Sequence, residues 1–232
     1  MKHIIPEGTN LPRPYGISYV HHYQNQRFGL DSTVLGGLEI PSEALDRISI
    51  HNIAHIDSVR ADVWLLPFLN VYSIFALGYG SAEVNISTPN MLDDLAGGYT
   101  WNSKGVGLGA IPTFGIGRFF TAVNLNYSWI WRSGSEMANA WIFNPRFGYS
   151  FPRFRFWFGA MYQYLDDEQS GTLGSENPVP YSVTLGRGKP WNGVFGFHFP
   201  FLNEKMEFVL EAGYGERVQV TTTIGYRWGG DK

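Results

Sequence analysis

The sequence contains four histidines, at positions 21, 22, 51 and 55, whose spacing could support metal binding or acid–base catalysis. His51 and His55 are four residues apart, so a β-strand would present both on one face. With His21 or His22 from a neighbouring strand, they could bind a metal ion or act as a general base. The simpler interpretation places these histidines at a rim or in loops, and the chain contains no GxSxG nucleophile motif. The sequence therefore predicts no catalytic residue, metal site or cofactor, and enzymatic activity ranks third among the functions considered.

A larger set of charged and amide side chains alternates with apolar residues. On strands, such side chains share one face, which in a barrel faces the interior. Because an isolated buried charge is costly, they must pair or be hydrated. Two interpretations follow: a salt-bridge network that fills a narrow barrel, or a polar lumen whose Arg and Glu side chains set selectivity. The predicted lumen-lining residues are Arg60, Asp62, Asn124, Asn126, Arg132, Asn144, Arg146, Arg155, Gln163, Glu207, Glu211 and Arg227.

Positioning these side chains requires strands, and the dominant sequence period is two. Between residues 153 and 164, for example, every second residue is Phe, Ala or Tyr, and the residues between them include Arg155, Trp157 and Gln163. Such segments run about 10 to 14 residues, whereas soluble strands average about 5–6. A tilted strand that crosses a bilayer needs about 9–11 residues. Segment length therefore favours membrane-spanning strands.

The composition of the two faces indicates which one meets lipid. One face carries Phe, Leu, Val, Tyr and Trp, whereas the other carries small and amide residues with single charges. Lysines occur only at positions 2, 104, 189, 205 and 232, all at predicted strand ends or in loops. A soluble barrel would place many Lys and Glu on its polar face, so the large apolar face is predicted to point outward into lipid.

The connections alternate in length. Tight turns are predicted at 66–70, 115–118, 150–153 and 200–204, and long polar loops at about 29–46, 86–103 and 165–188. A short helix over about 88–96 is predicted within one of these loops. Short turns on one side and long loops on the other are typical of outer-membrane barrels.

Overall composition excludes several classes of protein. Aromatic and charged residues each make up 16% of the 232 residues, there are 28 glycines and no cysteine, and the net charge is −3. The chain is therefore neither disordered nor disulfide-stapled, and it lacks the basic runs of a nucleic-acid-binding protein. No apolar signal-peptide core follows Met1, and a secreted mature chain would have lost one.

Glycines at 105, 107, 109, 115 and 117 are predicted to share the inward face of one strand. Glycine weakens a strand unless something approaches closely. One explanation is a plug, formed by residues 1–14 or by an inward-folded loop. The other is that the glycines relieve strand coiling and offset inward Trp and Arg side chains of neighbouring strands. The predicted organisation is a periplasmic N-terminal segment or plug (1–14), a barrel (15–228) and a C-terminal tail (229–232).

Ten strands are counted, at 15–27, 50–65, 70–85, 104–115, 119–131, 138–149, 153–164, 190–199, 205–215 and 218–228. The last ends in Tyr226-Arg227-Trp228, which resembles the aromatic C-terminal signal of bacterial outer-membrane β-barrels. The resemblance covers about residues 15 to 228. It implies an all-β fold, a transmembrane antiparallel up-and-down barrel of about ten strands, with eight or twelve as alternatives. Two further strands could lie at 30–38 and 178–186.

Three functions remain open at this stage. The first is a narrow passive channel of the Gram-negative outer membrane for small polar or anionic solutes. The second is a structural or interaction barrel whose extracellular loops bind a partner, and the third is a lipid-modifying or proteolytic enzyme. We expect a monomer whose partners are outer-membrane lipid and lipopolysaccharide, with a small polar solute in an open lumen and no nucleic acid.

Overall fold

The computed structural model describes residues 13–28, 30–35, 37–39, 41, 48–86, 97–132, 137–166, 168–173, 179–185 and 190–230. Ten long strands form the main body: β1 (Tyr15–Phe28), β4 (Ile48–Leu66), β5 (Leu69–Ile86), β6 (Gly97–Ile116), β7 (Phe119–Arg132), β8 (Ala138–Ser150), β9 (Arg155–Asp166), β12 (Trp191–Phe201), β13 (Met206–Gly215) and β14 (Arg217–Trp228). Four short strands lie between them: β2 (Leu30–Leu35), β3 (Leu38–Glu39), β10 (Glu168–Leu173) and β11 (Val179–Leu185).

The ten long strands close into one antiparallel barrel. Their order is β1-β14-β13-β12-β9-β8-β7-β6-β5-β4, so each strand pairs with the next long strand along the chain and β1 closes against β14. The predicted ten-stranded up-and-down barrel is confirmed. The segments considered as an eleventh and twelfth strand do form strands, but they belong to a separate sheet of order β10-β11-β2-β3 built from the long loops.

The two ends of the barrel differ as the connection lengths predict. Turns at 67–68, 117–118, 151–154 and 202–205 link strands at one end, which we call the turn end. The opposite, loop end carries the long connections and the small sheet. Several of the predicted strand bounds shift, with the largest change in β6. Strand β6 begins at Gly97 rather than 104, and Arg153 lies exposed in a turn because β9 begins at Arg155.

The outer surface of the barrel is apolar and aromatic. Exposed side chains there include Ile17 at 46%, Leu108 at 58% and Phe158 at 56%. Aromatic residues also cluster near the turn end, where Tyr15 stacks on Trp228. Because a water-facing surface of this kind would aggregate, the belt matches a barrel embedded in lipid. None of the described residues belongs to a helix long and apolar enough to cross a membrane.

Several predictions fall on residues outside those that the structure describes. They include the possible plug at residues 1–12, the short helix over about 88–96 and the last two residues of the tail. The described part of the N-terminal segment lies at the turn end, where the Trp64 backbone N–H donates to the Pro14 carbonyl oxygen at 2.8 Å. Arg13 and Pro14 therefore join the barrel on the side of the short turns.

Candidate functional site: the barrel lumen

One cavity of about 1010 Å³ runs inside the barrel. Its lining includes Phe28 and Pro190 from the loop end and Pro67, Pro200 and Glu204 from the turn end. The charged lining residues are six arginines (Arg60, Arg132, Arg146, Arg155, Arg217 and Arg227) and three glutamates (Glu204, Glu207 and Glu211). The lumen is thus narrow, reaches both ends of the barrel, and carries an excess of positive side chains.

A hydrogen-bonded ion-pair network occupies the turn end. Arg227 on β14 places Nη2 at 2.6 Å from Asp62 Oδ2 on β4, and Nη1 at 3.3 Å from Glu207 Oε1 on β13. Asn70 on β5 donates to the same Asp62 oxygen at 2.7 Å and accepts a bond from Arg60 Nη2 at 2.7 Å. Asp62 and Arg227 are each only 7% exposed. The charges of this network therefore have close partners, as burial in a low-dielectric interior requires.

Strand β1 lies between the two strands that carry Asp62 and Arg227, and a glycine lets them meet across it. Gly16 pairs with Asp62 on one side and with Arg227 on the other. A Cβ at Gly16 would lie 2.6 Å from Asp62 Oδ1 and 2.9 Å from Arg227 Nη1. We call this arrangement, in which a glycine on the middle strand allows side chains of both flanking strands to bond across it, a glycine bridge.

A second glycine bridge holds the cluster around Glu211, in the middle of the lumen. Glu211 accepts a bond from Trp157 Nε1 at 2.7 Å, and Arg146 Nη2 lies 2.9 Å from the same carboxylate oxygen. Asn144 donates to the other carboxylate oxygen at 3.1 Å. The Trp157 indole crosses β12 at Gly196, where a Cβ would overlap the ring. Glu211 is thus satisfied on both oxygens although it is only 4% exposed.

A third glycine bridge explains one of the glycines on the inward face of β6, Gly109. Tyr72 lies across Gly109, where a Cβ would overlap the phenol ring, and its hydroxyl donates to Asn124 Oδ1 at 2.6 Å on β7. The Arg60 guanidinium stacks on the same ring, 4.1 Å from its centroid. For Gly109, the close approach is therefore a neighbouring tyrosine. Gly117 lies in the β6–β7 turn with φ of 60°, a conformation that favours glycine.

The polar side chains at the loop end of β1 and β14 are of a different kind, because most are neutral. Gln24 donates to Gln26 at 2.7 Å, and His22 Nδ1 lies 2.8 Å from Thr221 Oγ1. Arg217 is the cation of this group. Its Nε donates to Gln219 Oε1 at 2.9 Å. These residues line the cavity or lie directly behind its surface.

The structure places ten of the twelve predicted lumen residues on the cavity lining: Arg60, Asn124, Asn126, Arg132, Arg146, Arg155, Gln163, Glu207, Glu211 and Arg227. The other two, Asp62 and Asn144, are buried against Arg227 and Glu211. Whether any of them governs passage stays a prediction. Arg217 was missed because the last strand was predicted to begin at residue 218. Its position, two residues before Gln219 in the same alternation, was the available signal.

The candidate histidine site divides between the two faces of the barrel. His21 and His55 lie on the outer face, with ring centroids 5.7 Å apart, and His21 Nδ1 is 2.8 Å from Asp57 Oδ1. His51 contacts Asn25 at 2.7 Å, whereas His22 faces the lumen. Within the described ranges, no group of three or more His, Cys, Asp or Glu could hold a metal ion. A base or metal role for His51 and His55 stays a prediction.

Comparison with known proteins gives matches in structure but not in sequence. No protein-family model matches the chain, and no curated protein matches it. Similar solved structures include an outer-membrane channel from Pseudomonas putida F1, at 12% identity, TM-score 0.40, and 95% and 97% coverage of this chain and that one. The translocator domain of the autotransporter NalP from Neisseria meningitidis matches at 10% identity, TM-score 0.43, and 92% and 88% coverage.

The KdgM porin, solved in complex with disordered oligogalacturonate, matches at 8% identity, TM-score 0.34, and 92% and 99% coverage of this chain and that one. The assignment of the fold rests on this chain's own strand pairing and surface. The closed ten-stranded barrel, with its apolar outer belt and its short turns opposite long loops, is of the bacterial outer-membrane type.

Proposed function

We propose that the protein is a narrow passive channel of the outer membrane for small polar or anionic solutes. The observation that carries this proposal is the cavity of about 1010 Å³ inside the barrel, which is lined by residues from both ends. A lumen filled by side chains alone would leave no such space, and a barrel of this strand number has room for a narrow path only.

The charge of the lining supports a preference for anions. Six arginines and three glutamates line the cavity, and the glutamates at 207 and 211 are bound by arginines at 3.3 Å and 2.9 Å. Asp62, which is buried behind the lining, pairs with Arg227. With Asp62 included, the six arginines still outnumber the four carboxylates among the described residues, so the net charge around the path is positive. Rings of Arg side chains favour anions in pores because they lower the electrostatic barrier for negative solutes.

Single-channel recording in planar bilayers tests the proposal. We expect discrete conductance steps and, in a KCl gradient, a reversal potential displaced towards the chloride equilibrium potential. Arg155 lines the cavity and Arg153 is exposed in the adjacent turn. Arg155→Gln should therefore reduce the displacement, whereas Arg153→Gln, which removes the same charge outside the lumen, should leave it unchanged. Folded protein that shows no steps would contradict the proposal.

The second candidate function, an interaction barrel, is favoured by one feature of the backbone. Segments of two long loops form the sheet β10-β11-β2-β3, which does not belong to the barrel wall. Loops that are held in an ordered sheet can present a defined surface for binding a partner. Folded, correctly inserted protein without conductance steps would favour this candidate over the channel.

A further inference from the structure

The loop-side half of the lumen has two unlike walls. One half of the circumference consists of β9, β12, β13, β14 and β1, and the other of β4 to β8. On the first wall the lining is rich in polar side chains, among them His22, Gln24, Gln163, Arg217 and Thr221. On the second it is largely Ile and Ala: Ile50, Ala54, Ile56, Ala76, Ala82, Ile130, Ala140 and Ile142. The polar or aromatic exceptions are Asn52, Thr100, Trp101, Asn102, Ser103, Ser128 and Arg132, most of them near the loop end.

Arg217 is the buried cation of the polar wall. The residue is 2% exposed, yet its guanidinium bonds only neutral oxygens: Gln219 Oε1 at 2.9 Å, the Pro190 carbonyl at 3.3 Å and the Met161 carbonyl at 3.4 Å. Among the residues that the structure describes, no carboxylate forms an ion pair with it. Three donors are thus engaged, and within the described ranges the positive charge has no carboxylate beside it.

A buried charge of this kind is costly to leave uncompensated, so an anion that reaches it gains strongly. An inorganic anion would gain only this electrostatic attraction to Arg217. The facing wall of Ile56, Ile130 and Ile142 offers apolar surface as well, and apolar surface gains by covering another apolar group. A ligand that satisfies both walls has an anionic head and an apolar body.

We infer that the loop-side half of the lumen is a binding site for small amphipathic carboxylates. The carboxylate lies at Arg217, accepting from the guanidinium donors that its protein partners leave unused, and the aliphatic body lies against Ile130 and Ile142. This inference rests on the proposed function, because it names the class of solute that the channel would select. In this site, a solute that enters from the loop end contacts the protein through its apolar part as well as through its charge.

Isothermal titration of the protein in nanodiscs of zwitterionic lipid tests the site with no current involved. The probes are hexanoate, acetate and 1-hexanol, each corrected with empty nanodiscs. We expect hexanoate to bind at least about tenfold more tightly than acetate, which lacks the apolar body, and than hexanol, which lacks the charge. Equal affinities for acetate and hexanoate would show that the apolar wall does not contribute to binding. Equal affinities for hexanol and hexanoate would show that the charge of Arg217 does not contribute.

Variants then locate the site. Arg217→Gln should weaken hexanoate binding about ten- to a hundredfold, as expected for loss of a charged hydrogen-bonding partner. Ile142→Ser should weaken hexanoate binding several-fold while leaving acetate binding unchanged. Arg153→Gln, the exposed control, should bind like the wild type. An Arg217→Gln protein that binds hexanoate with wild-type affinity would overturn the inference.

The two proposals fail separately. Hexanoate binding without conductance steps would leave the site intact and remove the passive channel. Conductance steps without hexanoate binding would leave the channel and remove the site. Folding of every variant is checked by tryptophan fluorescence and by urea unfolding in vesicles, so that a loss of binding in a folded barrel is attributable to the lumen.

Discussion

Strand β14 carries an arginine at each end of the lumen, and their surroundings are opposite. Arg227 at the turn end contacts two carboxylates, Asp62 and Glu207, at 2.6 Å and 3.3 Å. Arg217 at the loop end contacts, among the residues that the structure describes, amide and carbonyl oxygens and no carboxylate. Both are nearly fully buried, at 7% and 2% exposure. The same residue type on the same strand is thus locked into structure at one end and left available to a ligand at the other.

The difference between these two arginines indicates that stability and ligand selection depend on opposite ends of the lumen. At the turn end, the Asp62–Arg227 ion pair crosses β1 through a glycine bridge. Removing one partner of this pair leaves the other charge unpaired in a low-dielectric interior. At the loop end, the neutral partners of Arg217 would lose little if the arginine were absent. We therefore expect substitutions to affect stability strongly at the turn end and ligand binding at the loop end. Four predictions follow this gradient.

The largest effect on stability is expected for Arg227→Gln. The change leaves Asp62 and Glu207 buried without their common cation, and breaking a buried pair in this way costs about 3–5 kcal/mol. The measurement is the free energy of unfolding in urea for protein refolded into lipid vesicles. A loss below about 1 kcal/mol would mean that water, rather than Arg227, compensates these carboxylates.

The next effect is expected at the first glycine bridge. In Gly16→Val the new side chain would occupy the space where Asp62 and Arg227 meet, and overpacking of this kind costs about 2–3 kcal/mol. Gly193→Val is the matched control, because a Cβ at this exposed glycine would lie 3.5 Å from the Tyr214 carbonyl oxygen, an ordinary contact. If both variants lost the same stability in urea, strand propensity rather than the bridge would be responsible.

A smaller effect is expected at the third glycine bridge, formed by Tyr72 across Gly109. Tyr72→Phe removes the hydroxyl that donates to Asn124 at 2.6 Å but keeps the ring over Gly109 and beneath Arg60. The expected loss is about 1 kcal/mol in the free energy of unfolding, the typical net value of one hydrogen bond. Tyr214→Phe, at a position 79% exposed on the outer face, should change the free energy of unfolding by less. Equal losses would place the hydroxyl of Tyr72 outside the stabilising contacts.

The smallest change in stability is expected for Arg217→Gln. Losing three bonds to neutral oxygens destabilises the fold, but removing a buried charge without a counterion offsets that loss. We expect a free energy of unfolding within about 0.5 kcal/mol of the wild type. A loss as large as that of Arg227→Gln would erase the contrast between the two ends and make Arg217 a structural residue.

Sequence patterning was sufficient for the wall of the barrel but not for its interior bonds. The period of two predicted that Arg146, Glu211 and Arg227 face inward, because side-chain direction follows from strand periodicity alone. It could not predict that Arg146 and Trp157 meet at Glu211, since those partners are brought together by strands far apart in the chain. The strand bound set at 218 also hid Arg217, because strand ends are less periodic than strand centres.

The glycine stripe on β6 shows the same limit. The sequence alone left two explanations open: a plug, or relief of strand coiling with room for inward Trp and Arg side chains of neighbouring strands. At Gly109 the register of β5 against β6 identifies the group that approaches closely, because it places Tyr72 directly beside that glycine. A shift of the register by one residue would have turned every side chain of the strand to the other face.

By itself, the sequence determined the architecture of this protein: the alternation, the segment lengths and the unequal connections all require a closed barrel with an apolar outside. These properties are local, since each depends on residues close together in the chain. Only the tertiary structure decided which buried charges are paired and which are not. Pairing depends on strand register and on closure of β1 against β14. Closure brings Asp62 to Arg227, and the register of β13 against β14 brings Glu207, whereas Arg217 contacts no carboxylate among the described residues.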